Sequence, residues 1–217
     1  MEAQLIQLST VVVGKAHNPT ILNPDFLAVN GIVPPGWGWD VAETVTTPPF
    51  AVVRYANGVA VTVELNKLQV TDVSVGDDPT KSKAAAIATS YARTLPHVRY
   101  TAAGINFQSF VAIESPEKYL VERFVTAGPW NSAKRRLSAA GLRLVYELGD
   151  DARVTLSLDA GEVQGSDEAS KRSVVIANAN FHRDCQTQPD HEHVARQLSN
   201  LADDWLMYRD LLTEAFA

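Results

Sequence analysis

The chain has 217 residues, 46% apolar and 20% charged, enough for one sizeable soluble core or at most two small ones. A net charge of −6 has the wrong sign for a nucleic-acid backbone binder, and the one basic cluster, Lys134 to Arg136, is short, so nucleic acid is not an expected partner. A single cysteine excludes an internal disulfide framework and fits a reducing compartment. The opening MEAQLIQLSTVVVG carries no basic leader and no apolar run of membrane-spanning length, so a cytoplasmic, bacterial-type protein without membrane contact is expected.

Gln4 to Gly14 is rich in β-branched residues and reads as a first strand. An arm follows at about 15–42, where Asn23 and Pro24 suit a helix start, Gly31 a helix end, and Pro34-Pro35 an extended chain. Trp37 and Trp39 suit either packing of that arm on the core or an aromatic binding anchor. Phe50 to Val70 reads as a hairpin about Asn57-Gly58. A two-residue turn there would pair Ala56 with Val59, Arg54 with Val61, Val52 with Val63 and Phe50 with Leu65. That register puts Arg54 alone on an apolar face, snorkelling at the edge or meeting an anion.

Asp78 and Pro79 then open a helix with the face Ala84, Ile87, Ala88, Tyr91, Leu95, stopped by Pro96. Val98 to Glu114 is a long strand, and Ser115-Pro116-Glu117 starts a helix that Gly128-Pro129 ends. Residues 141–160 form a second hairpin about Gly149-Asp150-Asp151, 161–172 a mobile loop, and Ser173 to His182 a last strand. Finally Val194, Leu198, Leu201, Trp205, Tyr208 and Leu212 make one stripe of a terminal helix.

Hairpin-then-helix occurs twice. The expected fold is therefore a single α+β domain over 1–217: a curved antiparallel sheet with helices on one face, built as a pseudo-twofold hairpin-helix repeat.

YANGVAVTVELNKLQV, LPHVRYTAAGINF and the strand-plus-helix ending VVIANANFHRDC…LADDWLMYRDLLTEAF resemble a sporadically distributed, uncharacterised bacterial protein family of similar length. The shared pattern includes an aromatic-x-x-x-Gly-hydrophobic-Asn strand (Tyr100, Gly104, Ile105, Asn106) and covers about half the chain loosely. The arm is not part of it. The order of elements is also similar to TATA-binding-protein-like saddles. Neither resemblance implies a catalytic residue.

Two places carry candidate chemistry. His182, Cys185, His191 and His193 supply the N and S atoms a metal would use. However, His-x-His at a helix start aims its rings about 200° apart, so solvated first-turn residues after a Pro189-Asp190 cap are expected instead. Neither metal nor cofactor is expected, and Cys185 lacks any nucleophile signature. The second place is a sheet face. If the strands of residues 98–114 and 173–182 are neighbours, Asn106, Gln108, Asn178, Asn180 and His182 form an amide-rich stripe. Asparagine is depleted in strands, so several on one face ask for a reason.

The expected function is a non-catalytic, self-associating binding or assembly protein, recognising a protein partner or small ligand on that face. Two alternatives stand beside it: a small-molecule enzyme with His182 as general base, and an accessory subunit of a mobile-element or phage-defence system. The terminal helix carries Leu206, Met207, Leu211 and Phe216 outside its stripe, so a dimer contact is expected there.

Overall fold

The computed structural model describes residues 2–130, 135–149, 151–164, 171–187 and 190–217. Lys134, Asp150, Pro189 and positions 165–170 of the expected loop lie outside them. In chain order the elements are β1 (Ala3–Lys15), α1 (Pro24–Val29), β2 (Val45–Thr46), β3 (Phe50–Arg54), β4 (Val59–Glu64), β5 (Lys67–Asp72) and α2 (Ala84–Thr94). Then follow β6 (Arg99–Ala112), α3 (Pro116–Phe124), β7 (Leu142–Glu147), β8 (Ala152–Gln164), β9 (Lys171–Asp184), α4 (His191–Leu198) and α5 (Leu201–Phe216).

The nine strands form one open, curved, antiparallel sheet in the order β2-β3-β4-β5-β1-β6-β9-β8-β7. Leaving out the two-residue β2, that order reads alike from both ends. The halves β1-α1-β3-β4-β5-α2 and β6-α3-β7-β8-β9-α4/α5 are topologically equivalent, with β1 and β6 at the centre. This is the repeat expected from the hairpin-helix pattern, with two further strands beside the hairpin in each half.

Strand alternation decides which side is covered. Leu8, Thr10 and Val12 of β1, Ile105 and Phe107 of β6, Ala177, Ala179 and Phe181 of β9, and Val154, Leu156 and Leu158 of β8 are buried on one face. There Phe107 stacks on Tyr208 of α5 with ring centroids 5.2 Å apart, Tyr208 donates its hydroxyl to Ala177 O, and Thr10 donates to Ala84 O of α2. The arm joins this core rather than standing off it: Leu22, Leu27, Ile32 and Val33 are buried, and Trp37 meets Tyr55 edge-on at 5.3 Å.

The first hairpin corrects the expected register. Gly58 alone has positive φ, +84°; Tyr55 N donates to Val59 O and Gly58 N to Tyr55 O. The loop is therefore the three residues Ala56-Asn57-Gly58, a type I turn closed by a glycine bulge, not a two-residue type I′ turn. Arg54 pairs with Ala60, Val52 with Thr62 and Phe50 with Glu64. One added residue moves each side chain to the other face. Arg54 thus leaves the apolar face: it is exposed on the opposite side, 3.2 Å from Glu43. A Cβ on Gly58 would come 2.1 Å from Ser74 Oγ, so Gly58→Ala should lose about 2 kcal/mol between backbone strain and clash, read as a lower urea midpoint.

Residues 50–70 also turn twice. Glu64 pairs with Lys67 across Leu65-Asn66, and that second turn is held by Gly14 N donating to Asn66 O and His17 N to Leu65 O. Asp78-Pro79 opens only a 3-10 turn, Pro79–Lys81. Ser82 is drawn out to donate to Asp72 Oδ2 at 2.6 Å, so α2 starts at Ala84. α3 ends at Phe124, before Gly128. The expected loop over 161–172 is strand at both ends, as β8 runs to Gln164 and β9 starts at Lys171.

The terminal helix is two helices. Ser199 and Asn200 break it, their side chains donating to Arg196 O and, from Asn200, also to Gln197 O. The stripe survives the break, since Val194, Leu198, Leu201, Tyr208 and Leu212 are all buried. Leu211 and Phe216 are also buried in the chain's own core, leaving Leu206 as the large apolar residue α5 exposes. The apolar surplus that suggested a dimer contact on this helix is therefore mostly absorbed within the chain.

Candidate functional site

The face of the sheet turned away from the core carries the amide stripe. β6 and β9 are neighbours, and their register sets Gln108 opposite Asn178 and Asn106 opposite Asn180. The strands on either side extend both pairs. One row runs Gln7, Gln108, Asn178, Ser157 across β1, β6, β9 and β8; the next runs Ser9, Asn106, Asn180, Thr155. Neighbouring members of a row are separated by the strand spacing, about 4.8 Å.

The second row is internally bonded. Asn180 Nδ2 donates to Asn106 Oδ1, and Asn106 Nδ2 donates to Ser9 Oγ at 3.2 Å. Gln108 and Asn178 of the first row make no side-chain hydrogen bond to the described residues, so their amide groups face outward unused. Together the rows line a shallow depression of about 270 Å³ bounded by Gln7, Asn106, Gln108, Thr155, Ser157, Asn178 and Asn180, with no titratable side chain in its lining.

His182 lies one row further on, opposite Gly104 in β6 and Arg153 in β8, half-buried and outside that lining. Burial lowers its pKa, and the Arg153 charge lowers it further against the opposing pull of Asp184, so its imidazole is held neutral near pH 7. Arg54 is on the same face but far away. β4, β5 and β1 separate its strand from β6, which puts it about 19 Å from the amides. It borders a separate depression of about 570 Å³ with Trp39, Glu43, Tyr55 and Val73, where the arm folds over the sheet end. Asn106, Gln108, Asn178 and Asn180 are thus brought together, His182 stands at their margin, and Arg54 does not join them.

The Cys/His stretch is dispersed. Cys185 is fully buried, its thiol 3.9 Å from Arg183 O and its pKa pushed up to about 11, chiefly by burial. His191 and His193 lie in the first turn of α4, which Asp190 caps by accepting from His193 N at 2.7 Å. The His193 ring lies 3.0 Å from Gln197 Nε2. Among the described residues no three His, Cys, Asp or Glu side chains converge to hold a metal.

Gln7, Ser9, Thr155 and Ser157 belong to the rows but escape a reading of the sequence strand by strand. Their only signal is that each occupies the polar phase of its own alternation. No helix among the described residues is long and apolar enough to cross a membrane. A scan against protein-family models finds no match to the chain, and neither does a search of the curated proteins.

Proposed function

We propose that the protein is a non-catalytic binding or assembly protein whose open sheet face recognises an uncharged, hydrogen-bonding partner surface or small ligand. The observation that carries this reading is the depression lined by two rows of amides and hydroxyls and by no titratable group. An amide both donates and accepts, so such rows read a pattern of donors and acceptors without contributing net charge. Proton-transfer catalysis needs a titratable group within hydrogen-bond reach of the reacting atom. His182 is neutral enough to be a base, but it stands outside the depression, so the enzyme reading ranks second. An accessory subunit of a larger system would use this same face for its partner.

The test is a titration of isotope-labelled protein with neutral probes: a nucleoside, a disaccharide and a capped Asn-Gln peptide. Amide shifts confined to β6, β8 and β9, unchanged by added salt, are expected for at least one probe. Shifts confined to the arm depression at Trp39 and Arg54 would place recognition elsewhere. Asn178→Ala should leave stability nearly unchanged, because its amide has no partner among the described residues, and Asn106→Ala should cost about 1–2 kcal/mol for two lost hydrogen bonds. The double variant should be folded and unable to bind. Global unfolding of that variant would show that the amides serve the fold instead.

A further inference from the structure

We propose that two copies of this chain join edge to edge through β7, with Val145 on the twofold axis, so that two nine-stranded sheets become one. The starting observation is an asymmetry between topologically equivalent edges. At one end of the sheet, β3 is closed off: β2 pairs with it, Trp39 bridges Tyr55, Asp40 N donates to Arg54 O, and Thr47 exchanges backbone bonds with Phe50. At the other end β7 stands in the equivalent place, and among the described residues nothing pairs with its outer edge. Val145 and Tyr146 are 50% and 38% exposed there. An open, partly apolar edge strand is a template for another strand.

The register on β8 decides which groups are free. Leu148 N donates to Ala152 O, and the pairing runs Tyr146 with Val154 and Leu144 with Leu156. Even-numbered residues therefore spend their backbone groups on β8, and Arg143, Val145 and Glu147 point theirs outward. An antiparallel twofold copy that uses all three of these residues has one register. Val145 meets Val145 of the second copy, and Arg143 of each chain meets Glu147 of the other.

The side chains agree with that register. Arg143 and Glu147 are exposed and form no ion pair within the described chain; across the axis they stand opposite in charge, twice. On the core-side face of the sheet, Leu144 of each copy meets Tyr146 of the other. The contact is isologous, the commonest arrangement for a homodimer, and it hides the edge that would otherwise recruit strands without limit. It also continues the row Ser9, Asn106, Asn180, Thr155 through Val145 into the same row of the second copy. The dimer does not depend on what that face binds.

Light scattering on the intact chain at micromolar concentration should give twice 23.6 kDa. Val145→Pro removes the amide donor at the axis, where proline is tolerated on an edge strand, and should give a monomer with an unchanged far-UV spectrum. Arg143→Glu should also give a monomer, by setting like charges opposite each other. Adding Glu147→Arg to the same chain reverses both pairs and should restore the dimer, a rescue that loss of folding could not produce. A wild-type monomer overturns the proposal. So does a dimer that survives both single substitutions, or one that dissociates only on Leu206→Glu, which would place the contact on α5.

Discussion

Asp204→Ala is expected to cost about 3–5 kcal/mol of stability and to lower Tm by roughly 10 °C or more. Asp204 sits in the first turn of α5 with its side chain 4% exposed, and it accepts a two-pronged contact from the Arg183 guanidinium, one arm at 2.8 Å. Arg183 itself projects from β9 onto the helix-covered face, with 12% of its side chain exposed. Burial raises the Asp204 pKa even though Arg183, bonded to it, pulls the other way. Desolvation and attraction thus oppose each other at Asp204, and the pair is expected to add little net stability. Its role is to fix where the start of α5 lands on the end of β9. Removing one partner leaves the other charge buried without compensation, which is the costly event. Arg183→Met combined with Asp204→Leu should therefore recover most of the loss. If the double variant is as unstable as the single one, the pair stabilises in its own right. Urea unfolding of the three chains separates the two cases.

That ion pair shows which parts of the molecule are legible in the sequence. Most elements were: period-two alternation in residues 98–114 and 173–182 and the Asn23-Pro24 and Ser115-Pro116 starts each match an element of the structure, and the Val194-to-Leu212 stripe matches two helices where one was expected. Local chemistry sets these, and local chemistry is what a sequence displays. The candidate face was legible in part, because Asn106 and Gln108, like Asn178 and Asn180, share a strand phase, and two long antiparallel strands needed only to be neighbours to bring the four together.

What escaped depends on a single residue's conformation or on long-range pairing. Asn57-Gly58 suits two turn geometries, one with positive φ at both residues and one with positive φ at Gly58 alone; the choice moves Arg54 from one face to the other. Arg183 and Asp204 are 21 positions apart, and the segment between them includes a helix break that no stripe reveals. Their trace is nonetheless present: Arg183 continues the apolar phase Ala177, Ala179, Phe181, and Asp204 falls on the buried side of α5 between Leu201 and Tyr208. A charge in an apolar phase on each of two elements was the available signal.

His17 is expected to make the protein lose stability as pH falls from about 6.5 to about 4, by about 3 kcal/mol in total. The residue follows Ala16, whose φ is +63°, and turns inward from the end of β1. There it is 2% exposed, with the rings of Tyr91 and Tyr100 at 6.2 and 6.0 Å and neither ring nitrogen hydrogen-bonded to a described residue. Burial alone moves its pKa from 6.5 down to about 4, because no carboxylate accompanies the imidazolium into the core. The folded chain therefore refuses a proton that the unfolded chain takes up. Above pH 6.5 both states are neutral at His17, and the group contributes no pH dependence. Between 6.5 and 4 the unfolded state binds more protons, so stability falls by at most about 1.4 kcal/mol per pH unit; below 4 both states are charged and the loss is complete. His17→Gln keeps a polar group in the site but cannot titrate. Urea midpoints of the two chains from pH 7.5 to 4.5 isolate the effect, since every other carboxylate and histidine is common to both. Wild type should decline more steeply below pH 6.5, with the two curves parallel above it. Parallel curves across the whole range would mean that His17 reaches water, or finds a partner, when it takes up its proton.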